Sequence, residues 1–149
     1  MTTRNITIRP FYVMRSAKYG ADTIVCQAEG AVLATGRVVL TWVVENQSHG
    51  SFSDLDGIKT IYGYDPVTRF VFAEDDPNWQ PKTFYLQRDR DVTGNSGTGI
   101  VAEGVEFSNR WCILNWLVKP YSEFWYPTVQ HIDNIHSHGG LTQIIWDSH

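Results

Sequence analysis

The chain contains itself twice, and this repeat limits what it can fold into. Residues from Ala28 to Glu74 can be laid on Ala102 to Ser148, 74 places later, without a gap. Ten of the 47 pairs are identical: Ala28, Glu29, Gly30, Leu40, Trp42, Val44, Ser48, Ile58, Ile61 and Thr68 with their partners. Chance alone would give roughly three. Upstream, FYVMR at Phe11–Arg15 answers FYLQR at Phe84–Arg88, at an offset of 73. The identities are not scattered. Strand side chains alternate, so Val38, Leu40, Trp42 and Val44 share one side. Their counterparts are Cys112, Leu114, Trp116 and Val118, while Thr41 and Asn115 lie on the other side. A duplicated fold keeps its core face in this way.

Each copy therefore predicts the same elements. In the second copy strands are expected at Thr83–Arg88, Thr98–Phe107, Trp111–Val118, Glu123–Tyr126 and Thr142–Asp147. A helical turn is expected from Thr128, a suitable N-cap, with Asp54 at the same place in the first copy. Val129, Ile132 and Ile135 recur every three residues, which suits one or two turns of α or 3₁₀ helix. A long loop, a three-strand meander, a helical turn and a closing strand follow the order of an SH3-like barrel. The expected fold is mainly β, a tandem duplication of a small SH3-like β-barrel module. The first copy is placed at 11–73 and the second at 84–149. Residues 1–10 form an N-terminal arm, in which Pro10 ends a short strand at Ile6–Arg9. The polar, proline-bearing stretch 74–83 is a linker.

Composition agrees with a packed β protein. Apolar residues make up 42% and charged ones 19%, enough to bury a core. Aromatics reach 13%, and they fit pleated, half-buried surfaces. A net charge of −4 argues against a sequence-independent nucleic-acid binder, which needs a basic face. Cys26 and Cys112 sit in apolar runs with no zinc spacing, so they read as buried thiols. The N-terminal residues carry no signal-peptide core, and no run approaches a membrane span. The expectation is a soluble cytoplasmic protein that engages no membrane.

Within the second copy, DVTGNSGTGIVAEGVEF at Asp91–Phe107 is followed by Trp116, Ser122, Tyr126, Thr128, IHSHGGLT at Ile135–Thr142 and IIW at Ile144–Trp146. This order of motifs resembles a scattered bacterial and phage family of short, uncharacterised β proteins with the pattern DVSGxSGTGxVAEG…IHGHxGxT. The resemblance covers about 65 residues and leaves the first copy aside. Ser137 departs from the pattern's glycine, a turn glycine is missing near Arg110, and Asn115 stands where arginine is frequent. No activity follows from the resemblance.

Four groups of residues have chemistry to offer. Gly94, Gly97 and Gly99 form G-x-x-G-x-G, but a phosphate loop must run into a helix N-terminus, and here a strand follows. A tight loop with an acidic and hydroxyl lip is the better reading. His136 and His138, if placed on a strand, would share a face about 7 Å apart. That spacing could hold a metal, and a turn in which the rings bond to nearby backbone or hydroxyls is the plainer reading. Glu29 and Glu103 are retained in both copies, which favours a structural role over a general acid or base: either Gly30 and Gly104 allow a bulge that turns the Glu outward, or the Glu bonds to a neighbouring backbone N–H. The aromatic cluster Phe124–Tyr126 suits packing or the stacking of a planar ligand.

The chain reads as a non-enzymatic binding or interaction protein, its ligand or partner held by the second module. The lip comprises Arg88, Asp89, Asp91, Thr93, Ser96, Thr98, His136, His138 and Thr142. The partner is a small molecule or a protein, and a phage-type role would be to sequester the one or block the other. No catalytic residue, metal or cofactor is assigned. A small hydrolase, metal-dependent or acid–base, using His136, His138 and an acid such as Asp89 is an alternative. So is a structural part of a viral or cellular assembly, and a homo-oligomer fits any of the three.

Overall fold

Ladder pairing and alternation fix the two halves of the chain in the same way. The computed structural model describes residues 7–16, 24–44, 48–62, 67–89 and 99–147. The chain forms two compact units, Met1–Gln80 and Pro81–His149. The first carries β1 (Arg9–Ser16), β2 (Ile24–Val32), β3 (Val38–Trp42), β4 (His49–Phe52), α1 (Leu55–Tyr62) and β5 (Arg69–Phe72). The second carries β6 (Lys82–Arg88), β7 (Gly99–Glu106), β8 (Cys112–Trp116), β9 (Glu123–Tyr126), α2 (Val129–His136) and β10 (Thr142–Trp146). Each unit is one five-stranded antiparallel sheet, ordered β4-β3-β2-β1-β5 in the first and β10-β6-β7-β8-β9 in the second. The fold is mainly β, with two modules of one topology. Among the described residues the ladders leave each sheet open at its outer strands.

In the second unit one face of the sheet carries Phe84, Leu86, Ala102, Cys112, Leu114 and Tyr126, buried with Ile132 of α2. In the first, Phe11, Val13, Ala28, Val38 and Leu40 are buried with Ile58 of α1. These are the residues that the repeat aligns. Both helices are α and two turns long. Asp54 caps α1 by accepting the Gly57 N–H at 2.9 Å. Thr128 has the extended backbone of an N-cap, but its hydroxyl meets His131 Nδ1 instead, at 2.8 Å. Ile135, expected to continue the apolar row, is exposed, as is its counterpart Ile61. A 3.6-residue period carries the third member of an every-third row off the buried side.

Two further expectations are corrected. Pro10 does not end a strand; it lies inside β1, opposite Ala31. The β5 ladder starts only at Phe11, so among the described residues no strand faces Pro10 on that side to receive an N–H. Nor do Gly30 and Gly104 sit at bulges. The irregularities fall between Val13 and Met14 and between Leu86 and Gln87, where Gln27 and Val101 are the unpaired residues of the facing strands. Gly104 stands in regular pairing opposite Phe84, and a Cβ there would meet Phe84 Cζ at 2.4 Å and the Ile113 carbonyl oxygen at 2.6 Å. The same fit joins Gly30 to Phe11. The glycine is required because an aromatic ring occupies the space of its side chain.

One departure from the family pattern acquires a backbone meaning. Leu33 N–H to Arg37 O and Gly36 N–H to Leu33 O close the turn between β2 and β3. Phe107 N–H to Trp111 O and Arg110 N–H to Phe107 O close the same turn between β7 and β8. Gly36 has φ 90° and Arg110 has φ 74°, so arginine holds a left-handed position that suits glycine.

The stretch read as a linker folds back on the first unit. Residues Ala73–Asp75 form a 3₁₀ turn. The Tyr12 hydroxyl donates to Asp76 Oδ2 at 2.6 Å, and Trp79 sets a perpendicular ring against Tyr12, 4.8 Å between centroids.

Candidate functional site

Strand alternation puts Arg88 on the same face of β6 as Phe84 and Leu86, so a guanidinium enters the core side of the sheet. It is 2% exposed. Its Nε donates to Thr142 Oγ1 at 3.0 Å, across the β6–β10 pair in which Arg88 and Thr142 face each other. The guanidinium carbon lies 5.8 Å from the centre of the Trp116 ring. On that ring, too, rests His136, edge-on at 5.0 Å between centroids. His136 Nε2 bonds with the Tyr126 hydroxyl at 2.9 Å. Arginine, threonine, tryptophan, histidine and tyrosine thus form one continuous cluster at the end of β6.

The first unit has the same cluster in apolar form. Arg15, Trp42, Phe52 and Tyr62 occupy the places of Arg88, Trp116, Tyr126 and His136. Trp42 and Phe52 pack perpendicular rings on Tyr62, at 5.2 and 6.2 Å. The Arg15 guanidinium lies over Tyr62 at 5.9 Å. In the second unit His136 stands at the place of that tyrosine, and the Arg88 guanidinium lies over Trp116. A phenylalanine–tyrosine contact has become a tyrosine–histidine hydrogen bond. Burial pushes the Tyr126 hydroxyl pKa above its ordinary value, which keeps it protonated and able to donate to the imidazole.

The predicted lip is brought together in part. Arg88 and Asp89 adjoin the turn before β10: Asp89 N–H donates to Leu141 O at 2.9 Å, next to the Arg88–Thr142 contact. The Asp89 side chain is exposed. Asp91, Thr93, Ser96 and Thr98 lie outside the described residues. His136 and His138 are not neighbours on a strand. His136 ends α2, and His138 begins a 3₁₀ turn, His138–Gly140. The cause is local: Ser137 N–H still bonds to Asp133 O, and Gly139 and Gly140 take φ of 70° and 97° before β10 can start. Among the described residues no three His, Cys, Asp or Glu side chains cluster as a metal site.

Residues 81–148 match the model of a family described as Acb5 phage protein. The match lies within the second unit and spans nearly all of it. It takes in every residue of the cluster from Arg88 to Thr142, as well as the stretches Asp91–Phe107 and Ile135–Thr142 that carry the sequence resemblance. The second unit is thus similar to Acb5 phage proteins. No curated protein and no solved structure matches the chain.

Trp116 and Tyr126 join the cluster although the sequence places one on the core face and the other in an aromatic run. A signal was available in the repeat. Phe52 against Tyr126 and Tyr62 against His136 are changes from ring packing to hydrogen bonding at two aligned positions. Glu103 and Asn115 face each other across β7 and β8 on the opposite side of the sheet. Both are fully buried, and neither polar atom of the Asn115 amide has a hydrogen-bond partner. Glu29, likewise buried, pairs with Thr41 in the first unit. Cys26 and Cys112 are free thiols. Burial, with Glu106 nearby, pushes the Cys112 thiol up to about 12, so it is inert as a nucleophile.

Proposed function

We propose that this is a binding protein in which the second module holds a small-molecule ligand and the first is its structural twin. The reading rests on one observation, the replacement of Phe52 and Tyr62 by the hydrogen-bonded pair Tyr126 and His136 beside a shared arginine and tryptophan. A duplicated core has no packing reason to exchange an apolar contact for a polar one. A surface that recognises a ligand does, because polar groups at fixed positions confer orientation and selectivity. Likeness to phage proteins supports a phage-type interaction role.

The test is to restore the first copy's arrangement. Wild-type protein and the Tyr126→Phe/His136→Tyr double variant are purified without a His-tag, and molecules released on denaturation are identified by mass spectrometry. A ligand present at near one equivalent in the wild type and absent from the folded variant is the expected result. Equal recovery from both proteins, or from neither, rejects the reading.

A further inference from the structure

We infer that Arg88 is an anion-binding residue, and that the ligand carries a phosphate or carboxylate group seated on its guanidinium. This deepens the proposed binding function and rests on it for the rest of the ligand. Three features lead to it. First, Arg88 is a buried cation, 2% exposed, and among the described residues no carboxylate pairs with it. Taking an unpaired charge out of water costs several kcal/mol. Contact with the Trp116 ring recovers only part of that.

Second, its hydrogen bonding is incomplete. Nε is used by Thr142, but Nη1 is buried with no partner. Buried donors in folded proteins are almost always satisfied, so one left open on a charged fork marks a place where something else belongs. A guanidinium matches two oxygens of a phosphate or carboxylate, and charge-assisted bonds of that kind are the strong ones. Thr142 completes the arrangement. Its oxygen accepts from Nε, which leaves its own hydrogen to donate.

Third, Arg88 stands at the end of its ladder, paired with Gly99 at the last step of the β6–β7 register. On the other side Asp89 is bonded to the turn before β10. Arg88 is thus a buried residue at the end of its strand, next to the exposed Asp89, not the middle of the core. Its counterpart Arg15 lies over Tyr62, which stands at the place of His136.

Inorganic phosphate and acetate are the probes, each compared with chloride at constant ionic strength. In wild-type protein one of them should raise the melting temperature in a saturable way and shift the Arg88 Nε–H resonance. Saturation by phosphate alone assigns a phosphoryl group, by acetate alone a carboxylate. Arg88→Lys keeps the charge and loses the fork, and should weaken the response at least about tenfold. Arg15→Lys should leave it unchanged. Where Arg88→Lys does not fold, the wild-type resonance decides alone. No shift with either anion, or equal loss in both lysine variants, overturns the inference. A released ligand with an unmoved Arg88 resonance overturns the anion assignment while leaving the binding function standing. Arg88-dependent anion binding with no released ligand does the reverse.

Discussion

Phe84 and Gly104 face each other across β6 and β7, and the phenylalanine ring fills the space where a side chain at 104 would stand. Phe11 and Gly30 repeat the relationship in the first unit. Gly104→Ala places a methyl group against a ring and a backbone carbonyl at once. The ring could turn aside; the Ile113 carbonyl belongs to a ladder and cannot. The substitution should cost about 1–3 kcal/mol in a urea melt. Adding Phe84→Leu should recover little, since the carbonyl contact stays. A loss under about 0.5 kcal/mol, well short of an overpacking cost, would mean the two strands separate easily at this pair.

Arg110 offers a gain instead. Its left-handed backbone costs a side-chain-bearing residue about 1 kcal/mol, which glycine avoids. Arg110→Gly, giving the residue that Gly36 already supplies in the first unit, should raise stability by up to about 1 kcal/mol after glycine's entropy is charged against it. Gly36→Arg should lower it by a similar amount. Thermal melts of the two variants check both signs.

Tyr126→Phe removes the hydroxyl that bonds His136 and leaves the ring in place. Loss of one hydrogen bond predicts about 1 kcal/mol of destabilisation at neutral pH. The alkaline limb should also change. The folded Tyr126 pKa is raised, so its contribution is full below about 10 and is lost as pH climbs through the folded value. The variant's stability should therefore fall less than that of the wild type above pH 10. Parallel alkaline curves would show that the buried hydroxyl does not titrate with folding.

His49 gives an acid-side counterpart in the first unit. Burial lowers its pKa below the usual 6.5, and its Nδ1 bonds with Thr41 Oγ1 at 2.9 Å. The unfolded chain binds the proton more readily, so this contribution is present above about 6.5 and is lost as pH falls through the folded value. His49→Gln should flatten the melting temperature between pH 7.5 and 5. An unchanged slope would assign the acid sensitivity elsewhere.

Much of the fold was legible because the repeat supplied two readings of one design. Trp42 with Trp116, Leu40 with Leu114 and Ile58 with Ile132 mark the core face directly. Glu123–Tyr126 is a strand at the predicted bounds, since three consecutive aromatic residues lie between the turn residues Ser122 and Pro127. The bulges were not legible, because an unpaired residue such as Val101 looks like any other apolar residue of a strand. Arg88 and Thr142 could be named from the sequence as lip residues. That they bond to each other could not, since 54 positions separate them and only the β6–β10 register joins them. His136 and His138 lie on a helix end and a 3₁₀ turn, in keeping with the turn reading of this stretch, because spacing implies a shared face only within one element.

In each unit the first strand is held between the second and the last: β1 between β2 and β5, β6 between β7 and β10. The chain therefore enters and leaves a module on neighbouring strands. In the second unit Asp147 N–H bonds to Thr83 O, within a few residues of both ends. A unit whose ends lie side by side can be copied in tandem, excised or circularly permuted without tearing its sheet. The join need only be a short tether, and a new end can be opened at a surface turn such as Phe107–Trp111. Duplication was thus a mechanically cheap event for this topology, and it left a chain in which two copies of one sheet can carry different polar residues.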